Sequence, residues 1–79
     1  MTNSPYNHLP AMPNLIAFLE AAQQLSFKRA AQRVCLSPSA LTRQIQALEA
    51  QVGCPLFVRE NPGLRLTPDG VRYLSSPDA

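Results

Sequence analysis

The chain of 79 residues predicts a small, mainly α domain: a three-helix core, a two-stranded β hairpin and the start of a fourth helix. Three observations carry this prediction. Apolar residues recur at helical spacing between Leu15 and Val52. Pro38, Pro55, Pro62 and Pro68 fall at the ends of periodic segments and never inside one. Two short β-capable runs flank Asn61-Pro62-Gly63, a turn-forming cluster. The apolar content of 46% fills one core, and a domain of this size buries only about 60% of its unfolded surface.

Pro5, Pro10 and Pro13 predict an irregular leader, placed at 1–9, ahead of a domain spanning 10–67. The first helix begins after Pro13 or Asn14, because Leu15, Phe18, Leu19 and Ala22 follow the i, i+3, i+4, i+7 rule. Ser26 then offers a cap to a second helix of about two turns, with Phe27, Ala30, Ala31 and Val34 on one side. The alanine pair lets another helix cross closely.

Ser37 is an N-cap followed by Pro38 at the first helical position, so a third helix opens there. It stops near Val52, because Gly53 accepts the left-handed conformation that closes helices and Pro55 cannot continue one. "PLFVRE" and "LRLT" form the hairpin, at about 56–67. Thr67, Pro68 and Asp69 repeat the grammar of a helix start, and the fourth helix, within 68–79, carries Val71 and Leu74.

The third helix divides into two faces. Leu41, Ile45, Leu48 and Val52 share one stripe and face a core, while Ser39, Thr42, Arg43 and Gln46 lie about 100° to 200° away from Leu41. No acid occurs on the polar face before Glu49. Hydroxyls, an amide and a guanidinium suit the edges of bases in a DNA major groove, where a carboxylate meets phosphates unfavourably. Ser37 caps the helix, and its neighbouring amides suit a phosphate. Lys28 and Arg29 open the second helix and flank this face as phosphate contacts.

Net charge, +2, is too small to identify a polyanion partner, but its distribution is uneven. Lys28, Arg29, Arg33, Arg43, Arg59 and Arg65 stand between Ser26 and Arg65, against Glu49 and Glu60 alone.

The segment "SFKRAAQRVCLSPSALTRQIQALEAQVGCPLFVRENPGLRLTPDG" closely resembles the DNA-binding domain of LysR-type bacterial transcriptional regulators. The resemblance runs from about Leu9 to Leu74 through "LIAFLEAA", "LSPSALTRQIQALE", "GCPLFVR" and "LTPDG". It implies a winged helix-turn-helix, with the helix-turn-helix at about 27–46, the third helix (38–52) in the major groove and the hairpin as a wing beside the minor groove. By resemblance, Pro38, Ser39, Thr42 and Arg43 contact base edges or sugar-phosphate, supported by Lys28, Arg29 and Gln32. Arg59 matches the arginine of the "LF.R" signature, with a role in positioning the hairpin or touching phosphate. Arg65, leaving the hairpin tip, is the better groove probe, suited to a narrow A·T minor groove.

Two departures qualify the transfer. Pro38 and Ser39 stand where many relatives have glutamine and proline, so a base contact of that glutamine does not carry over. By resemblance, family members also continue into a long dimerising helix and an effector domain, so this chain reads as an excised DNA-binding fragment or a truncated product. By resemblance, the small-molecule co-inducer belongs to the missing part and no cofactor to this chain. Promoter DNA is the partner, with a homodimer expected for the full-length protein.

Other functions find less support. A protein-interaction or dimerisation module, with Tyr73 and Leu74 of the fourth helix as contacts, is the alternative. His8 is the only histidine and no glycine-rich phosphate loop exists, so no enzyme is expected. Cys35 and Cys54 lack metal-site partners, and an intervening helix holds them roughly 20 Å apart, so both are expected as inert thiols. Glu20 and Glu49 read as surface charges, while by resemblance Glu49 falls at the acid of the family's "LE" and is a candidate brace for Arg59 or another basic residue. Neither an 18-residue apolar run nor a signal-like start is present, so a cytoplasmic location without membrane insertion is expected.

Overall fold

The computed structural model describes residues 11–60 and 63–75. The expected leader at 1–9, residue 10, Asn61 and Pro62 of the expected turn, and residues 76–79 lie outside the described residues. Four helices and one hairpin follow in the order α1 (Met12–Gln24), α2 (Phe27–Arg33), α3 (Pro38–Val52), β1 (Phe57–Arg59), β2 (Leu64–Leu66) and α4 (Pro68–Ser75).

Helix α1 begins two or three residues earlier than its periodicity predicts, with Pro13 inside its first turn. The first turn tolerates proline because its missing N–H has no intrahelical acceptor there. At the other end Leu25 takes a left-handed φ of 49° and donates its N–H to the Ala21 carbonyl. The chain turns at once into α2, where the Ser26 hydroxyl accepts from the Arg29 N–H at 3.1 Å.

The α2–α3 turn rests on a non-glycine residue in left-handed conformation. Cys35 has φ 61° and donates its N–H to the Gln32 carbonyl at 3.3 Å, while Leu36 N–H reaches the Ala31 carbonyl at 2.8 Å. This bond pair is the Schellman closure, which glycine usually occupies. Ser37 then caps α3 by accepting from Ala40 N–H at 3.2 Å, and Gly53 closes it with φ 92°.

Ala17, Phe18 and Ala21 of α1, Ala30 and Ala31 of α2, and Leu41, Ile45 and Leu48 of α3 form the core with Leu56 and Phe57. The small alanines let the three helices approach closely. Leu19 departs from expectation: it is 48% exposed, because α1 turns Ala17, Phe18 and Ala21 inward instead. Phe18 packs 5.5 Å from Phe57 and 5.4 Å from Tyr73, between ring centroids. Tyr73 is therefore half-buried against the core, not an exposed contact of α4.

The antiparallel hairpin pairs Phe57 with Leu66 and Arg59 with Leu64. Its attachment depends on Thr67, whose N–H donates to the Leu56 carbonyl at 3.0 Å. The Thr67 hydroxyl donates to the Pro55 carbonyl at 2.7 Å and accepts from Gly70 N–H at 2.9 Å. One buried threonine thus ties the wing's first strand to the start of α4.

Candidate nucleic-acid interface

Helix α3 separates its faces as its sequence requires. Leu41, Ile45 and Leu48 are buried, whereas Ser39, Arg43 and Gln46 are exposed and Thr42 is half-buried at the border. Its first turn contains no acid. Pro38 and Ser37 are exposed at the N-terminus, where the Ser37 and Ser39 hydroxyls lie 3.3 Å apart. Hydroxyls, an amide and one guanidinium therefore project from a helix whose opposite face is locked in the core.

Lys28, Arg29 and Gln32 are all exposed on α2. Lys28 lines an open cleft together with Arg59, Glu60 and Gly63, so the fold brings the start of α2 beside the wing. Arg29 and Gln32 line another depression with Gln24 and Arg33. Arg33, absent from the sequence-derived set, is exposed there and pairs with Glu20 at 3.6 Å. Glu20 is correspondingly half-buried, not a free surface charge.

The wing arginines behave differently from one another. Arg59 places its guanidinium carbon 4.9 Å from the Phe27 ring centroid, a cation–π contact that fastens the hairpin to α2. Arg65 extends from the opposite face of the hairpin and its Nε donates to Glu60 Oε2 at 2.6 Å. The sequence names Arg65 as a groove probe but gives no sign of this pairing, because it depends on the hairpin register.

Glu49 does not brace Arg59. Its Oε2 accepts from the backbone N–H groups of Leu56 at 2.8 Å and Phe57 at 3.3 Å. The reason is positional: after Gly53 the chain folds back along the last turns of α3, bringing the entry of β1 to that carboxylate. Cys35 and Cys54 are both free thiols. Burial, with the Asp69 charge beside it, pushes the Cys54 thiol up. Among the described residues no group of three His, Cys, Asp or Glu is placed to hold a metal ion, and no helix is long and apolar enough to cross a membrane.

A helix-turn-helix with a β wing and an acid-free exposed face on its second helix defines a class of winged helix-turn-helix proteins. Residues 12–71 match the family model described as bacterial regulatory helix-turn-helix protein, lysR family, and the chain belongs to that family. It is 41% identical over 68 residues to a glycine cleavage system transcriptional activator homolog of Haemophilus influenzae, covering 86% of this chain and 23% of that protein. The fold matches a LysR-family transcriptional regulator from Eggerthella lenta with TM-score 0.79 and 26% identity, over 87% of this chain and 99% of the other. A CbnR DBD–DNA complex matches with TM-score 0.74 and 37% identity, over 78% of this chain and 71% of the other. The chain thus spans about a quarter of the first of these relatives.

Proposed function

We propose that this chain binds double-stranded promoter DNA as the DNA-reading part of a LysR-type transcriptional regulator. The observation that carries the reading is the acid-free exposed face of α3, opposite its buried stripe. The structural likeness to a protein crystallised with DNA supports it.

In this reading α3 enters the major groove. Arg43 donates to guanine and Gln46 to adenine or a neighbouring phosphate, while the Thr42 methyl meets a thymine methyl. Pro38 and Ser39 contact the groove at the helix start, and Ser37 with the adjoining amides receives a phosphate. Lys28, Arg29 and Gln32 hold the backbone, Arg59 steadies the wing, and Arg65 enters the minor groove. The chain acts without catalysis and in the cytoplasm, and a co-inducer belongs to other parts of a longer protein. Homodimerisation uses the α1–α4 side, where Leu19 and Leu74 line an apolar groove.

Selection from random duplex DNA, followed by salt titration on the selected site, tests this. Arg43→Ala is expected to cost about 1–3 kcal/mol and to relax preference at one position. Lys28→Ala is expected to weaken all sequences alike and flatten the salt slope by about 0.9. No selected sequence, or salt-independent binding, overturns the reading.

A further inference from the structure

Arg65 and Glu60 pair on one exposed face of the wing. Both side chains are exposed, 57% for Arg65 and 46% for Glu60, yet their charged atoms lie 2.6 Å apart. The register explains the meeting. Val58 stands opposite Arg65, so Glu60, two residues on, projects from the same hairpin face at the end nearer the tip. Glu60 itself donates its N–H to the Gly63 carbonyl at 3.0 Å, which fixes the backbone from which the carboxylate extends. Lys28 and Arg59 line the cleft beside it, so Glu60 is an acid within an otherwise basic margin.

We infer that Glu60 competes with DNA for the Arg65 guanidinium and so sets how strongly the wing engages the minor groove. The inference rests on the DNA-binding reading above and adds a specificity-determining residue to it. A carboxylate offers a guanidinium the same anionic oxygen acceptors as a phosphate or a groove edge. Arg65 cannot enter a groove without leaving Glu60 or carrying that negative charge among phosphates, and both cost binding free energy. The competition is won most readily where the groove is narrow and its negative potential deep, as in A·T tracts. On a wide G·C groove the exposed pair persists and the wing contributes little.

Glu60→Gln removes the competing charge while keeping the side chain's shape and a hydrogen-bond acceptor. An exposed pair is worth about 0.2–1 kcal/mol, so affinity for a site carrying an A·T tract beneath the wing is expected to rise about 1.4- to fivefold. The gain on a matched G·C flank is smaller, and the salt slope steepens by up to about 0.9. In an Arg65→Ala background the gain from Glu60→Gln disappears, whereas a general effect of protein charge persists. Melting of both variants checks that each folds. Unchanged or weakened binding by Glu60→Gln overturns the inference. If Arg65→Ala alone leaves affinity unchanged on both flanks, the wing's groove contact itself fails, while an effect of Arg65→Ala without one of Glu60→Gln sinks only the competition.

Discussion

The Glu49 carboxylate lies 2.8 Å from the backbone nitrogen of Leu56 and accepts its N–H, with Phe57 N–H as a second donor to the same oxygen. An acid on the last turns of α3 thereby sets where the wing begins. Charge-assisted bonds to backbone N–H groups are stronger than neutral ones, and both donors sit at buried residues. Glu49→Ala leaves them without an acceptor and is expected to cost about 2–3 kcal/mol in urea denaturation. Glu49→Gln retains an acceptor oxygen and costs less. Arg59→Ala measures the alternative: a matching loss there, with no loss in Glu49→Ala, contradicts the backbone role.

Gly70 sets α4 tightly against the backbone just before β1. A Cβ at this position stands 2.2 Å from the Leu56 carbonyl oxygen and 2.9 Å from Leu66 Cδ2. In an open helix Gly→Ala is favourable by about 1 kcal/mol. Here the obstacle is backbone, which cannot swing aside, so Gly70→Ala is expected to destabilise by about 1–3 kcal/mol. A melting temperature that rises on this substitution refutes the close contact.

Tyr73 pairs an apolar benefit with a polar cost. Its ring meets Phe18 edge-on, but its buried hydroxyl has no hydrogen-bond partner among the described residues. Tyr73→Phe keeps the ring contact and removes that hydroxyl, so stability is expected to hold or rise by up to about 1 kcal/mol. Burial also raises the Tyr73 pKa above the ordinary tyrosine value. The folded state therefore holds this proton more tightly than the unfolded chain does. The contribution is complete below about pH 10 and is lost as pH rises through the folded pKa. Stability measured from pH 9 to 11 is expected to decline less in Tyr73→Phe; equal declines show that Tyr73 does not titrate in this way.

Cys35 carries strain that its neighbours impose. A left-handed backbone costs a non-glycine residue about 1–2 kcal/mol, partly offset by glycine's greater entropy in the unfolded chain. Cys35→Gly is expected to gain about 0.5–1 kcal/mol, or a few degrees in Tm for a domain of this size. Cys35→Ala keeps the strained φ of 61° and serves as the control. Equal stability of the two variants argues against strain.

The candidate site was legible where one element decides it. The polar face of α3 follows from 3.6-residue spacing, and the Ser26 and Ser37 caps follow from local residue order, so each was readable from a few consecutive residues. Leu19, Tyr73 and the charged side chains of the wing were less so. Leu19 satisfies the periodicity of α1 as well as Phe18 does, but only the position of α2 and α3 selects which side is covered. Arg59 and Arg65 look alike in sequence, yet β-strand alternation sends one onto Phe27 and the other to Glu60.

By itself the sequence determined the order and type of the elements, the caps of α2 and α3, the stop of α3 at Gly53, and the division of α3 into core and exposed faces. These follow from backbone sterics and from hydrophobic spacing within single helices. Tertiary structure alone decided that Glu49 serves backbone N–H groups, that Gly70 must lack a side chain, and that Arg65 meets a carboxylate. Each depends on how one element meets another: the turn after Gly53 brings the entry of β1 back to Glu49, the pairing of β1 with β2 sets Glu60 beside Arg65, and α4 packs onto Leu56, none of which hydrophobic spacing within a single element records.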